Sequence, residues 1–261
     1  MYSIAMSNKS GFKRPPLRVD SVFITGTDTG VGKTIVTAGL AMMLRELGMD
    51  VGVMKPIATG GILCQSKPHN AQLISADALF LLKATKINDP LELVNPICLK
   101  HPLAPSLAAQ VSGKKINLKK IFSAYYTLRK RHKILLVEGI GGLLVPIKDN
   151  YLVADLVKDM NLPLLIVTRP TLGTINHTLL TIKVADDYGL KIKGFVINYH
   201  RPFNNGLAEQ YAGRIIEEIS GIKCLCELPY LKTPQRKELA RGILSKSVFA
   251  ATLRKIGTTF I

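Results

Sequence analysis

The chain has no tryptophan, only eight phenylalanines and eight tyrosines, four cysteines, and barely half as many acidic as basic residues. The scarcity of aromatics weakens any function built on base stacking or an aromatic cage. The cysteines form no framework: Cys64 and Cys98 stand alone, and Cys224-Leu225-Cys226 lacks the two-residue spacer of zinc knuckles and redox pairs. His69, His101, His132, His177 and His200 show no metal-ligand spacing either. Apolar runs such as 162–167 fall far short of the ~18–20 residues that cross a bilayer. The first residues, MYSIAMSNKSGFKRPPLR, contain no apolar stretch of the kind that directs export. A cytoplasmic chain with reduced thiols and no membrane association is therefore expected.

What is present is a 261-residue chain, 47% hydrophobic and 20% charged, able to bury a sizeable core. Residues 1–19 are polar and basic and read as a loose arm; 20–261 read as one domain, since no repeat or low-complexity linker divides them. Strand and helix patterns then alternate. Strands are expected over 22–25, 51–54, 134–137, 164–168 and 192–197, and helices over 34–47, 71–83, 118–130, 175–187 and 207–219. A proline-punctuated stretch with Pro90, Pro96, Pro102 and Pro105 separates two of them. This alternation, together with a GTDTGVGKT loop at 26–34 between the first strand and the first helix, predicts an α/β fold of the P-loop NTPase kind, with a mainly parallel sheet flanked by helices on both faces.

The strongest chemical signal is GTDTGVGKT over 26–34, between a strand and a helix. Gly30, Val31 and Gly32 can turn backbone N–H groups onto phosphates while the following helix offers its positive N-terminus. Lys33 can reach the β- and γ-phosphates, and the Thr34 hydroxyl can hold Mg²⁺. Gly26 lies one residue earlier than the usual spacing, where Thr27 stands. KPIATG follows the second strand, and the carboxyl ends of parallel strands line the ligand crevice, so Lys55 should face the same phosphates. A second cation there would stabilise charge on a transferring phosphoryl group. EGIGG follows the apolar run at 134–137, bringing Glu138 out as a hard-oxygen Mg²⁺ ligand, with glycines that leave backbone bare for a ligand.

GTDTGVGKT, KPIATG and EGIGG together, with SADALFLL, VNPICLKHPLAPS, LGTINH, GFVINY and ELPYL, resemble the dethiobiotin synthetase family over about residues 22–231. The resemblance implies an ATP-dependent cyclo-ligase of biotin biosynthesis. Such an enzyme carboxylates 7,8-diaminononanoate with CO₂, phosphorylates the carbamate, and closes a cyclic urea as phosphate leaves. It implies Mg²⁺ on Thr34, Asp77 and Glu138, and catalytic roles for Thr29, Lys33 and Lys55, the last holding carbamate and γ-phosphate. Thr59 would contact substrate. Ile35, Gly139, Ile140 and Gly141 would complete the nucleotide site, and Asn198 would read the adenine edge beside Tyr199. The Pro229-Tyr230-Leu231 loop would pack on the base. Family members are homodimers with the substrate carboxylate near LGTINH across the interface, which makes Thr174 and Asn176 candidates.

The formal charge of +17 is uneven: residues 111–133 carry eight Lys or Arg and no acid. Ile121, Phe122, Tyr125 and Leu128 recur at helical spacing there, so a packed stripe beneath a solvated basic face is expected, with no specific nucleic-acid partner. The alternative to a ligase is a regulatory P-loop ATPase of the partition or septum-placement type. Those commonly add a lysine early in the phosphate loop, where this chain has Thr27, Asp28 and Thr29.

Overall fold

The computed structural model describes residues 21–65, 71–199, 202 and 206–232. The arm expected over 1–19 and the chain beyond Lys232 lie outside the described residues. In chain order the elements are β1 (Val22–Gly26), α1 (Lys33–Glu46), β2 (Val51–Met54), β3 (Ile57–Ala58), β4 (Ile62–Gln65), β5 (Ala71–Ile74), α2 (Ala76–Thr85), α3 (Leu91–Val94), β6 (Ile97–Cys98) and α4 (Pro105–Val111). They continue with α5 (Leu118–Arg131), β7 (Ile134–Glu138), β8 (Pro146–Lys148), β9 (Tyr151–Leu152), α6 (Val153–Met160), β10 (Leu164–Thr168), α7 (Thr174–Asp187), β11 (Ile192–Asn198), α8 (Leu207–Ser220) and β12 (Cys224–Leu228).

Six strands form one sheet in the order β12-β11-β10-β1-β7-β2, every neighbouring pair parallel. Alternate side chains on each strand enter different cores, as a pleated strand buried on both faces requires. On β1, Val22 and Ile24 pack with Val36, Leu40, Met43 and Leu44 of α1, whereas Phe23 faces Phe122, Tyr125 and Leu128 of α5. On β7, Ile134 and Leu136 take the first face and Leu135 and Val137 the second. Ile166, Phe195 and Ile197 meet Ile182 of α7 and Ile216 of α8. Helices thus cover both faces, and β1, β7 and β10 are central strands whose carboxyl ends open onto one edge.

The sequence patterns locate the main elements to within a residue or two, with one substantive correction. Residues 71–83 are not one helix. Ala71–Ile74 is a strand paired antiparallel with β4, and α2 starts after Ser75, whose hydroxyl accepts from the Ala78 N–H at 3.2 Å. Leu73 and Ile74 sit at helical spacing from Ala78 and Leu81, and a four-residue run cannot separate that period from a strand's. The Ser75 cap marks the true start. β12, in which Cys226 is buried, carried no pattern long enough to separate it from the turn that follows.

The open edge of the sheet is pinned at His132, directly after α5. Its Nδ1 lies 2.7 Å from Asp50 Oδ1 and its Nε2 2.8 Å from Asp89 Oδ2, joining the start of β2 to the loop before α3. The imidazole fits because position 52 has no side chain: a Cβ on Gly52 would fall 2.8 Å from His132 Cγ. Gly52→Ala is expected to destabilise the fold by about 1–3 kcal/mol through overpacking, measured as a lowered urea midpoint with unchanged slope. An unchanged midpoint would show that the ring has room to move.

Candidate active site

The loop between β1 and α1 is shaped by its own sequence. Gly30 (φ 76°) and Gly32 (φ 96°) occupy the left-handed region, which glycine adopts without strain. Gly32 also needs to be bare, because a Cβ there would collide with the side-chain amide of Asn198. That amide donates from Nδ2 to the Val31 carbonyl at 2.9 Å, tying the end of β11 to the loop. At the start of the loop, Thr27 N–H donates to Val167 O at 3.0 Å, and Asp28 Oδ1 accepts from Thr29 N–H at 2.7 Å.

Three charged groups converge beyond the loop. Lys55, at the end of β2, is 3% exposed, and Glu138, at the end of β7, is 1% exposed. Lys55 Nζ lies 2.6 Å from Glu138 Oε1, 3.1 Å from Asp77 Oδ2 and 3.0 Å from Gly139 O. Thr34 Oγ1 donates to the same Glu138 Oε1 at 2.8 Å, while buried Glu138 Oε2 has no hydrogen-bond partner. Lys33 Nζ donates to Asp28 O at 2.9 Å. Thr29, Gly30, Gly32, Lys33, Thr34, Ile35, Lys55, Ala58, Thr59, Asp77, Glu138, Ile140 and Gly141 line one cavity of about 400 Å³.

The electrostatics follow from that crowding. Burial, and then the nearby Lys55 charge, lowers the Lys33 ammonium from the ordinary lysine range to about 8. Burial works against the charge on Lys55 as well. Glu138 and Asp77 outweigh it by attraction and hydrogen bonding, so Lys55 is held above the usual value and stays charged.

Some expected residues stand elsewhere. Val31 points into the core and contributes its backbone. The Gly139 Cα lies against Phe23, and the residue reaches the site through its carbonyl, which Lys55 bonds. Tyr199 is buried, with its hydroxyl on Glu227 Oε2 at 3.1 Å. Pro229, Tyr230 and Leu231 follow β12, whose Leu228 pairs with Asn198, so they lie on the Asn198 side of the loop and outside the cavity. Thr174 is buried and bonds Thr168 Oγ1 at 2.7 Å, in a hydroxyl cluster with Thr178 and Thr27. Asn176 is exposed on α7. Two residues passed over in the sequence join the site. Ala58 lines the cavity, and Arg169 pairs with Asp28 of the loop. Arg169 directly follows a central strand, the position at which ligand contacts concentrate in such sheets.

A family model described as an AAA domain matches residues 20–237. The ATP-dependent dethiobiotin synthetase BioD of Thermodesulfovibrio yellowstonii is 44% identical over 216 residues, 80% of this chain and 88% of its own length. That of Nitrosopumilus maritimus is 38% identical over 235 residues, 90% of this chain and 99% of its own. The chain belongs to the dethiobiotin synthetase family. Among solved structures, the MinD cell division protein of Aquifex aeolicus superposes with a TM-score of 0.55 at 14% identity, covering 92% of this chain and 95% of its own. A ParA family ATPase from Chlorobium tepidum gives 0.53 at 14%, covering 91% and 97%. These two share the P-loop fold and carry no more than that, so family membership rests on the synthetases.

For a family member with this site, nucleotide binding should depend on pH through Lys33. A bound triphosphate favours its charged form, so the bound-state pKa exceeds the free value of about 8. ATP affinity is then full below about pH 8 and falls as pH rises toward about 10, with proton uptake on binding in that window. Calorimetry in buffers of different ionisation enthalpy measures the uptake, which Lys33→Arg should abolish. Binding without proton exchange between about pH 8 and 10 would contradict the assignment.

Proposed function

We propose that the protein makes dethiobiotin from 7,8-diaminononanoate, CO₂ and ATP. The observation that carries this reading is the convergence of Lys33, Lys55, Thr34 and Glu138 on one cavity beside a phosphate-binding loop, in a chain belonging to this family. One substrate amine attacks CO₂ and loses a proton to give a carbamate. A carbamate oxygen attacks the γ-phosphorus and ADP departs. The second amine then attacks the carbonyl of the mixed anhydride and loses a proton as inorganic phosphate leaves, closing the cyclic urea. The substrate brings its own nucleophiles, so the protein must supply position and positive charge.

Lys33 and the N–H groups of Gly30, Val31 and Gly32 hold the phosphates, and Thr29, which lines the same cavity, would meet the γ-phosphate. Lys55 moves its ammonium from Glu138 and Asp77 onto the carbamate and γ-phosphate. Thr59, which lines the same cavity, contacts the substrate. Asn198 spends an N–H on Val31, leaving its amide oxygen to accept from the adenine amino group.

Mg²⁺ suits the donors here. Among the described residues no group of three His, Cys, Asp or Glu could hold a metal. Thr34, Asp77 and Glu138 instead offer hard oxygens, one of them the buried Glu138 Oε2 that lacks a partner. Mg²⁺ would neutralise charge on the β- and γ-phosphates. The homodimer is proposed from exposed apolar side chains: Leu180 of α7 and Leu144 line a second cavity that shares Thr29 and Gly141 with the first, and Leu172, just before α7, is 92% exposed. Asn176 is exposed on α7 one turn before Leu180, whereas the internal bonds of Thr174 favour a role in holding the start of α7. A cytoplasmic location agrees with four free cysteines.

Purified protein given ATP, Mg²⁺, bicarbonate and the diamine should release phosphate and dethiobiotin in equal amounts, followed by mass spectrometry. ATP turnover indifferent to the diamine but stimulated by DNA or lipid would point to a regulatory ATPase instead. Lys55→Gln should keep nucleotide binding within a few-fold and lose about 100-fold or more in kcat; near-normal turnover would remove its role. Glu138→Gln should raise the Mg²⁺ concentration needed for half-maximal rate, and an unchanged metal titration would count against ligation.

A further inference from the structure

The segment VNPICLKH has no role in the chemistry above, yet it runs the length of KPIATG. β6 pairs with β3 (Ile57 with Ile97, Ala58 with Cys98), and Leu99 N–H donates to Ala58 O at 2.9 Å. Gly61 N–H returns to Leu99 O at 2.9 Å. At the head of this splint is Asn95, the C-terminal cap of α3 and 8% exposed. Its Nδ2 donates to Lys55 O at 2.7 Å and to Ile97 O at 3.1 Å, while Lys55 N–H donates to Val94 O at 2.7 Å.

Lys55 needs this support because of its place in the sheet. β2 is an edge strand, and its register with β7 ends at Met54 opposite Val137. Pro56, which follows, has no N–H to bond. The ammonium is held by Glu138, Asp77 and Gly139, but the carboxylate contacts are the ones it exchanges when phosphate arrives. Among the described residues, Val94 and Asn95 hold the Lys55 main chain through groups that take no part in that exchange.

We propose that Asn95 is a positioning residue for the synthetase reaction: it fixes the Lys55 backbone so that the ammonium can change partners without the strand end drifting. This rests on the proposed role of Lys55. An amide suits the task because one uncharged group supplies two N–H donors to two carbonyls, and those two acceptors also fix which way the amide is turned. Asp at this position has the same shape, but ionised it directs oxygen at oxygen.

The test is a double-mutant cycle on kcat, with ATP affinity measured alongside. Asn95→Asp should lower kcat by about 10–100-fold, as small misplacements of reacting groups do, with ATP Kd changed by less than about threefold. In a Lys55→Gln background the same change should cost almost nothing further, because no ammonium is left to position. An equal loss in both backgrounds, or kcat within twofold of the parent, would overturn the proposal. If Asn95→Asp does not fold, Asn95→Ser is read in the same cycle, since it is uncharged and too short to bridge both carbonyls. A parent protein that makes no dethiobiotin overturns the functional reading itself, an outcome distinct from a working parent whose cycle is additive.

Discussion

The site is organised around one buried ion pair, Lys55 with Glu138, at 2.6 Å between the ends of two adjacent parallel strands. Moving two charges out of water costs several kcal/mol for each ion, and a pair returns that only with good geometry and further hydrogen bonds. Lys55 has them from Gly139 and Asp77, and Glu138 Oε1 has one from Thr34. Glu138 Oε2 does not, and a buried carboxylate oxygen with no partner is costly unless something arrives to use it. The pair is therefore better understood as a holding state than as a contribution to fold stability. In the proposed reaction it would keep an ammonium charged and in place until phosphate oxygens and a divalent cation divide the partners between them.

The fold serves that pair at every level. β1, β7 and β10 are apolar on both faces because helices cover both, and this leaves their carboxyl ends as the places where polar side chains can emerge. Glu138 emerges in this way, as do the phosphate loop after β1 and Thr168 at the end of β10. Lys55 is the exception, since β2 lies at the sheet's edge and must be held by a splint added from α3 and β6. The surplus of positive charge lies mainly elsewhere. The expected apolar stripe on α5 is buried, and Lys119, Lys120, Lys130 and Arg131 face solvent.

Much of this was legible in the sequence, for identifiable reasons. The phosphate loop, Lys55 and Glu138 each directly follow a short apolar run, and a parallel sheet brings such positions to one edge whatever the loops between them do. The α/β alternation was equally plain because α1, α5 and α7 are long enough for the helical period to declare itself. Features that depend on contacts distant in sequence were not visible. Asn198 looked like an adenine reader and also braces the Val31 carbonyl, 167 residues away. Thr174 was a substrate candidate by its motif, and its bond to the Thr168 hydroxyl could not be read from local sequence. The strand at Ala71–Ile74 is specified by its partner β4, which no local spacing could announce. Asn95 lies in the proline-punctuated stretch, where nothing local announces its bond to Lys55.

In the proposed mechanism the Lys55 ammonium leaves its carboxylates when a triphosphate binds, while its main chain stays fixed. The most direct measurement is NMR of protein labelled at lysine Cε, with the Lys55 and Lys33 signals assigned through Lys55→Gln and Lys33→Arg. The label is followed as Mg²⁺ and a non-hydrolysable ATP analogue are added. Both signals should move together and saturate at one equivalent of nucleotide. A Lys33 signal that shifts while that of Lys55 stays where it was in the free protein would contradict it.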